Sequence, residues 1–261
     1  MPAETITLET DRRGIATLTL SRPDRHNAMN AAMIAELAEA AAALPESGAR
    51  AVVLTGAGRS FSAGADLGWM REQMQATRDE RMAGARALAG MLRALDELPL
   101  PLIGRINGQA FGGGIGLIAV CDVAIAAADA RFGLTETRLG LIPATISPYV
   151  VARLTPPRAR EVFFSGRLFG AEEAVRLGLV AEAVPAEELD AAVERQVAPC
   201  LATAPGAVAE GKALVRALSP PIDDALIERT AEALADRWET DEAKAGIAAF
   251  FDKRPPPWAA G

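Results

Sequence analysis

Asn107-Gly108-Gln109-Ala110-Phe111-Gly112-Gly113-Gly114-Ile115-Gly116 sits between two stretches of different character. Before it, Leu102 to Ile106 is an apolar run suited to a buried strand. After it, helical spacing from Ile115 to Cys121 gives way to a second expected strand, Val123 to Ala127. Strand, glycine turn, helix and strand again is the order of a layered α/β core. A helix that begins at glycines points orphan N–H groups and its positive dipole end at whatever lies in front. That arrangement suits an oxygen carrying negative charge.

The alternation extends upstream. Ile6-Thr7-Leu8 and Ile15 to Leu20, separated by the turn Asp11 to Gly14, read as a hairpin-like pair of half-buried strands, both edge or antiparallel elements. A helix is expected from Ala31 to Leu44, a buried strand at Ala51 to Leu54, a loop from Thr55 to Gly68 and a long helix from Asp79 to Glu97. From about Pro157 the chain turns helical. Segments at Glu161 to Ser165, Ala171 to Leu177, Ala186 to Thr203, Ala207 to Leu218, Ile222 to Trp238 and Asp241 to Asp252 show helical spacing, with one short strand at Leu179 to Val184. A soft boundary near residue 200 separates a core over 1–200 from a helical region over 201–261.

Composition narrows the function classes. The 261 residues are 50% hydrophobic but only 5% aromatic, so the core is built from Ala, Leu, Val and Ile, and a disordered chain is excluded. Lys and Arg number 27 against 34 Asp and Glu, a net charge of −7, which argues against a general nucleic-acid binder. One histidine, His26, cannot build a His-rich zinc site, and Cys121 and Cys200 give no disulfide framework. No apolar run reaches the roughly 20 residues of a membrane span. Met1 to Thr10 lacks a basic region followed by an apolar one, so the reading is cytoplasmic.

Three segments carry the candidate chemistry. Phe61-Ser62-Ala63-Gly64-Ala65-Asp66-Leu67 follows the strand at Ala51, and its small residues let a ligand approach main-chain N–H groups. If one N–H from this turn and one from Gly112 to Gly116 aim at one carbonyl oxygen, they form an oxyanion hole. The third, Arg131-Phe132-Gly133-Leu134-Thr135-Glu136, is followed by Leu139-Gly140-Leu141-Ile142-Pro143. Its carboxylate among leucines is a candidate for a raised pKa and proton transfer. A dinucleotide fingerprint at Gly114-Ile115-Gly116-Leu117-Ile118-Ala119 is the rival. It leaves only about two turns of helix before the next strand, and Glu136 lies beyond that strand's end.

These motifs, in order and correctly separated, resemble the enoyl-CoA hydratase/isomerase (crotonase) superfamily. So do Arg22-Pro23-Asp24-Arg25-His26-Asn27-Ala28-Met29, Phe164-Ser165-Gly166, Ala174 to Val180 and Gly246 to Arg254. The resemblance spans essentially the whole chain. It implies an α/β spiral of ββα turns, a helical C-terminal region used for trimers or dimers of trimers, and an acyl-CoA thioester substrate. No separate cofactor and no metal are implied, since coenzyme A arrives with the substrate. Carried over by position, the N–H groups of Ala65 and Gly113 hold the thioester oxygen, and the Ala63 carbonyl meets the adenine. Asp66 and Leu67 line the pantetheine path, with Gly112, Gly116 and Leu141 also against the substrate. Arg25 lies beside the CoA phosphates, while Phe250 and Lys253 complete the nucleotide site of a neighbouring subunit.

Two departures bear on the reaction. Family hydratases commonly use two glutamates. Here the first position is Gly116 and the second is Glu136. Ile142-Pro143-Ala144-Thr145-Ile146-Ser147 stands where many relatives have glycines, and the combination resembles the subgroup with methylglutaconyl-CoA and isohexenylglutaconyl-CoA hydratases. The expectation is hydration of a branched or glutaconyl-like enoyl-CoA. The alternatives are a Δ3,Δ2-enoyl-CoA isomerase using one carboxylate and a non-catalytic CoA-binding member of the fold. His26 and Cys121 are expected to be structural, and Trp69 and Met70 to line an acyl pocket or pack the core.

Overall fold

The computed structural model describes residues 3–259. Strands β1 (Ile6–Thr10) and β2 (Ile15–Leu20) pair antiparallel, from Ile6 opposite Leu20 to Thr10 opposite Ala16. The pair is antiparallel as expected, with β1 at the sheet edge and β2 interior, because the other side of β2 runs parallel to β3 (Ala51–Gly56). Between them lies helix α1 (Ala31–Ala43), started by the Asn30 side chain accepting from the Met33 N–H. Its buried residues, Met33, Ile34, Leu37, Ala40 and Ala41, form one helical stripe.

From β3 onward the chain winds in repeated turns. Each turn gives one strand to a large sheet and the next strand to a small one. After β3 come β4 (Ser60–Ser62), α2 (Leu67–Gln75) and α3 (Arg78–Asp96), the last begun by a reciprocal Thr77 and Glu80 capping box. The second turn is β5 (Leu102–Ile106), β6 (Gln109–Phe111) and α4 (Gly113–Ala119); the third opens with β7 (Val123–Ala127) and β8 (Arg131–Gly133). Helices α5 (Ser147–Leu154) and α6 (Pro156–Phe163) lead to β9 (Leu168–Gly170), α7 (Ala171–Leu177) and β10 (Glu182–Val184). The large sheet has the order β1-β2-β3-β5-β7-β10 and the small one β4-β6-β8-β9. This is the ββα spiral that the resemblance implied.

The large sheet is covered on both faces, which is why its strands read as continuous apolar runs. Val52, Leu54, Leu102 and Ile106 point into the main core beneath α1, α3 and α4. Ala51, Val53, Ile103 and Ile125 face α8 (Leu189–Cys200) through Leu189, Ala192, Val193 and Val197. Helices α9 (Pro205–Ala217), α10 (Asp224–Glu239) and α11 (Asp241–Phe251) follow. Helix α10 lies on α3 through Ala231 and Ala235 against Met82 and Ala85. The α10–α11 pair then folds back over the turn that follows β8, where Leu141, Trp238, Ala243 and Ile247 pack together. Among the described residues, no helix is long and apolar enough to cross a membrane.

Candidate active site

Parallel strands open their carboxyl ends to ligands. The ends of β4, β6 and β8 are where the three candidate segments meet, around a cavity of about 520 Å³. Its wall includes Ala63, Ala65, Leu67, Gly112, Gly113, Glu136, Leu141 and Phe250.

The first turn is held against the segment at Asn27. The buried Asn27 side chain donates to the Ala57 and Ser60 carbonyls, and the Asn27 main-chain carbonyl accepts from the Ser62 hydroxyl. Met29 then donates to the Gly64 carbonyl, and Asp66 donates to that of Met29. Ala65, between these two bonds, turns its N–H the other way, and it finds no acceptor among the described residues. The Gly113 N–H, at the start of α4, is equally without one. The turns are in close contact. A Cβ on Gly64 (φ +84°) would lie 2.6 Å from the Phe111 carbonyl oxygen and 3.6 Å from the Gly113 nitrogen, so only glycine fits.

Glu136 opens a 3-10 turn, Glu136–Leu139, directly after β8. A Cβ on Gly112 (φ +48°) would come within 2.8 Å of its Oε1, which places the carboxyl against the glycine turn. Its Oε2 is buried without a partner. Burial raises the Glu136 pKa from the ordinary 4.5 to about 7, since the anion is lifted out of water and its own backbone N–H offsets only part of the lost solvation. The turn is fixed from outside by Arg237 of α10, whose Nε and Nη2 donate to the Gly140 carbonyl at 3.0 and 2.6 Å.

Four of the other expected residues, Gly116, Asp66, Arg25 and Lys253, lie off the wall. Gly116 is buried off the cavity wall. A Cβ there would be 2.6 Å from Cγ2 of Ile146, so the space that a longer side chain would occupy is filled from the Ile-Pro loop. Asp66 also lies off the wall, because it caps α2 by accepting from Gly68 and Trp69 and pairs with Arg22 at 3.0 Å. Burial alone would raise its pKa, but these hydrogen bonds outweigh it and hold the carboxyl below its usual range. Arg25 is exposed beside Asp24, and Lys253 is exposed beyond α11; neither touches the cavity. Phe250 enters the wall of this same chain because α11 folds back. His26 contacts Ser60 Oγ through Nδ1 and receives Arg59 at Nε2, a fixed loop contact. Cys121 is buried, with its thiol pushed up to about 12 by desolvation.

Sequence reading missed much of the wall. Arg81, Leu234 and Trp238 reach it by tertiary packing of α3 against α10, and Gln73 lies at the end of the unforeseen α2. Trp69 and Met70 do line it. Thr145 is buried in the wall with its hydroxyl unpartnered. Among the described residues there is no cluster of His, Cys, Asp and Glu able to hold a metal.

A family model described as enoyl-CoA hydratase/isomerase matches residues 10–261. Among solved structures, Pseudomonas aeruginosa AtuE is 38% identical with a TM-score of 0.81, over 98% of this chain and 100% of that one. An enoyl-CoA hydratase from Shewanella pealeana is 35% identical with a TM-score of 0.81, over 98% and 97%. The short-chain-enoyl-CoA hydratase of Clostridium acetobutylicum is 34% identical over 244 residues, 92% of each chain.

Proposed function

The chain belongs to the enoyl-CoA hydratase/isomerase family, and on that premise we propose that this enzyme adds water across the 2,3 double bond of a branched or glutaconyl-like enoyl-CoA. The observation that carries the reading is the shared cavity. The buried Glu136 carboxyl faces the same space as two main-chain N–H groups, of Ala65 and Gly113, that have no acceptor of their own.

In this mechanism the thioester oxygen accepts from Ala65 and Gly113. Glu136, as carboxylate, takes a proton from water while the water oxygen bonds to C3. The electron pair of the double bond moves onto the thioester, giving an enolate held by the two N–H donors. Glu136, now a carboxylic acid, returns its proton to C2 and is a carboxylate again. One carboxyl serves twice, and a pKa near 7 lets it both take and give a proton around neutrality. We assign the buried Thr145 hydroxyl to hold the water against Glu136. Each oxyanion donor is worth about 2.7–4 kcal/mol in the transition state. Ala63 and Leu67 would border the CoA arm, which needs no separate cofactor.

A second reading is favoured by Gly116: with no carboxylate at that position, Glu136 is the one carboxylate in the wall among the described residues, and a lone carboxylate suits proton shuttling from C2 to C4 of a 3-enoyl-CoA. Incubation with 3-methylglutaconyl-CoA, crotonyl-CoA and 3-hexenoyl-CoA, followed by mass spectrometry with separation of isomers, decides between them. A gain of one water supports hydration. Isomerisation of 3-hexenoyl-CoA at constant mass, with no hydration of any substrate, refutes it.

The assembly we propose is a cytoplasmic homotrimer or dimer of trimers. Supporting it, α9 buries none of its residues in the chain and leaves Leu214, Val215 and Leu218 exposed at 59, 67 and 81%. Light scattering after size exclusion reads the mass directly, and a monomer would overturn this assignment.

A further inference from the structure

Helix α3 carries four arginines at Arg78, Arg81, Arg86 and Arg93. Three are tied to acids of α10: Arg78 to Asp236 and Glu239, Arg86 to Glu228, and Arg93 to Asp224. Arg81 makes no ion pair among the described residues and instead lines the cavity, half-buried. Its guanidinium is held in place without being neutralised. Nε donates to the Gln73 carbonyl at 2.9 Å and Nη2 to that of Met74 at 3.4 Å, both at the end of α2. Cζ stands 5.8 Å from the Trp238 ring centroid.

Two carbonyls occupy only two of the five N–H donors of a guanidinium, and the group stays charged at any physiological pH. The cavity wall it belongs to includes Met70, Ala85, Leu88, Leu234 and the Trp238 ring, with Gln73 supplying a neutral amide, and Arg81 also lines a smaller cleft with Glu239 and Lys244, whose Glu239 is paired with Arg78. The other arginine of the wall, Arg138, is exposed on the turn that bears Glu136. A fixed, half-buried guanidinium with free donors on the wall of a mostly apolar cavity is matched by a carboxylate, which it can bind with paired hydrogen bonds. Helix α2 supplies a ruler. It begins beside Ala65 and runs to the carbonyls that hold Arg81, a rise of roughly 10 Å from Leu67 to Met74 at 1.5 Å per residue.

We propose that Arg81 is a specificity-determining residue that binds a second carboxylate at the far end of the acyl group. The preferred substrates are then enoyl-CoA thioesters of dicarboxylic acids. The inference rests on reading the cavity as the acyl-thioester site and adds the residue that selects the acyl class.

The test uses mono-CoA thioesters of enoyl dicarboxylic acids of increasing length, each beside the same chain ending in a carboxamide. In the unmodified enzyme, kcat/KM at one or more lengths should favour the carboxylate by about 30-fold or more, the scale of losing one partner of a desolvated charge pair. Arg81→Met should bring the ratio close to one, chiefly through a raised KM for the carboxylate substrates. Arg81→Lys should retain part of the preference. A wild-type enzyme indifferent to the carboxylate at every length overturns the proposal, as does a preference that survives Arg81→Met. Should Arg81→Met fail to fold, the wild-type comparison alone decides. If no thioester is turned over, the hydratase reading falls by itself. The same ratio is then read from Trp69 and Trp238 fluorescence on titration with the saturated dicarboxylic and carboxamide thioesters.

Discussion

Replacing Glu136 with glutamine should remove activity and strengthen the fold at alkaline pH. In the folded chain the carboxyl is buried with Oε2 unpartnered, and burial lifts its pKa from 4.5 to about 7. A raised folded-state value means that the native state binds the proton more tightly than the unfolded chain. The stability contribution is therefore complete below about pH 4.5 and is lost as pH rises to 7, where the folded carboxyl ionises. At about 1.4 kcal/mol per pH unit, the rise amounts to roughly 3 kcal/mol lost above neutrality. Glutamine carries no charge and avoids this loss. Urea unfolding of both proteins at about pH 5 and about pH 8 should show Glu136→Gln gaining roughly 2–3 kcal/mol more at the higher pH, as a shift in midpoint at constant slope. Its hydration rate should fall by at least about 100-fold, on the scale of losing a general acid–base group. Equal stability differences at the two pH values would refute the buried-anion argument, whatever the activity does.

Thr145→Val removes a buried hydroxyl that has no partner among the described residues. It should leave the melting temperature unchanged or higher and lower kcat by about 10-fold, the scale of one hydrogen bond; an unchanged kcat removes Thr145 from the reaction. Installing a glutamate at Gly116 should not improve hydration and should cost about 1–3 kcal/mol through overlap with Ile146, read as a lowered melting temperature. Asp66→Ala deletes the α2 cap and the Arg22 partner together and should destabilise by about 1–2 kcal/mol in chemical denaturation, while Asp66→Asn keeps most of the cap.

Long elements with one clear pattern were legible in sequence. The strands at Leu102 to Ile106 and Val123 to Ala127 and the helix at Ala171 to Leu177 lie where the periodicity puts them. The small sheet was not legible, because β4, β6, β8 and β9 are three residues each, too short for alternation to register, and they exist only by pairing with one another. Helix α2 begins at Leu67-Gly68, inside what reads as a loop, and its start depends on the Asp66 cap. Motif order located Ala65, Gly113 and Glu136, but not what surrounds them. That Gly116 is closed off by Ile146, or that Arg81 shares a wall with Trp238, depends on contacts between distant segments, for which a single sequence carries no periodic signal.

The bond from Arg237 to the Gly140 carbonyl joins residues 97 apart, and Trp238 and Phe250 close the cavity from the same late segment. On the ribosome, at about 5–20 residues per second, both glycine turns and Glu136 emerge roughly 5–20 s before the helices that cover them. For that interval the nascent chain has Glu136 and both glycine turns but lacks the Trp238 and Phe250 portion of the wall. A chain clipped between α9 and α10 lacks Arg237, Trp238 and Phe250 and should therefore lose activity, which an assay of the truncated protein checks.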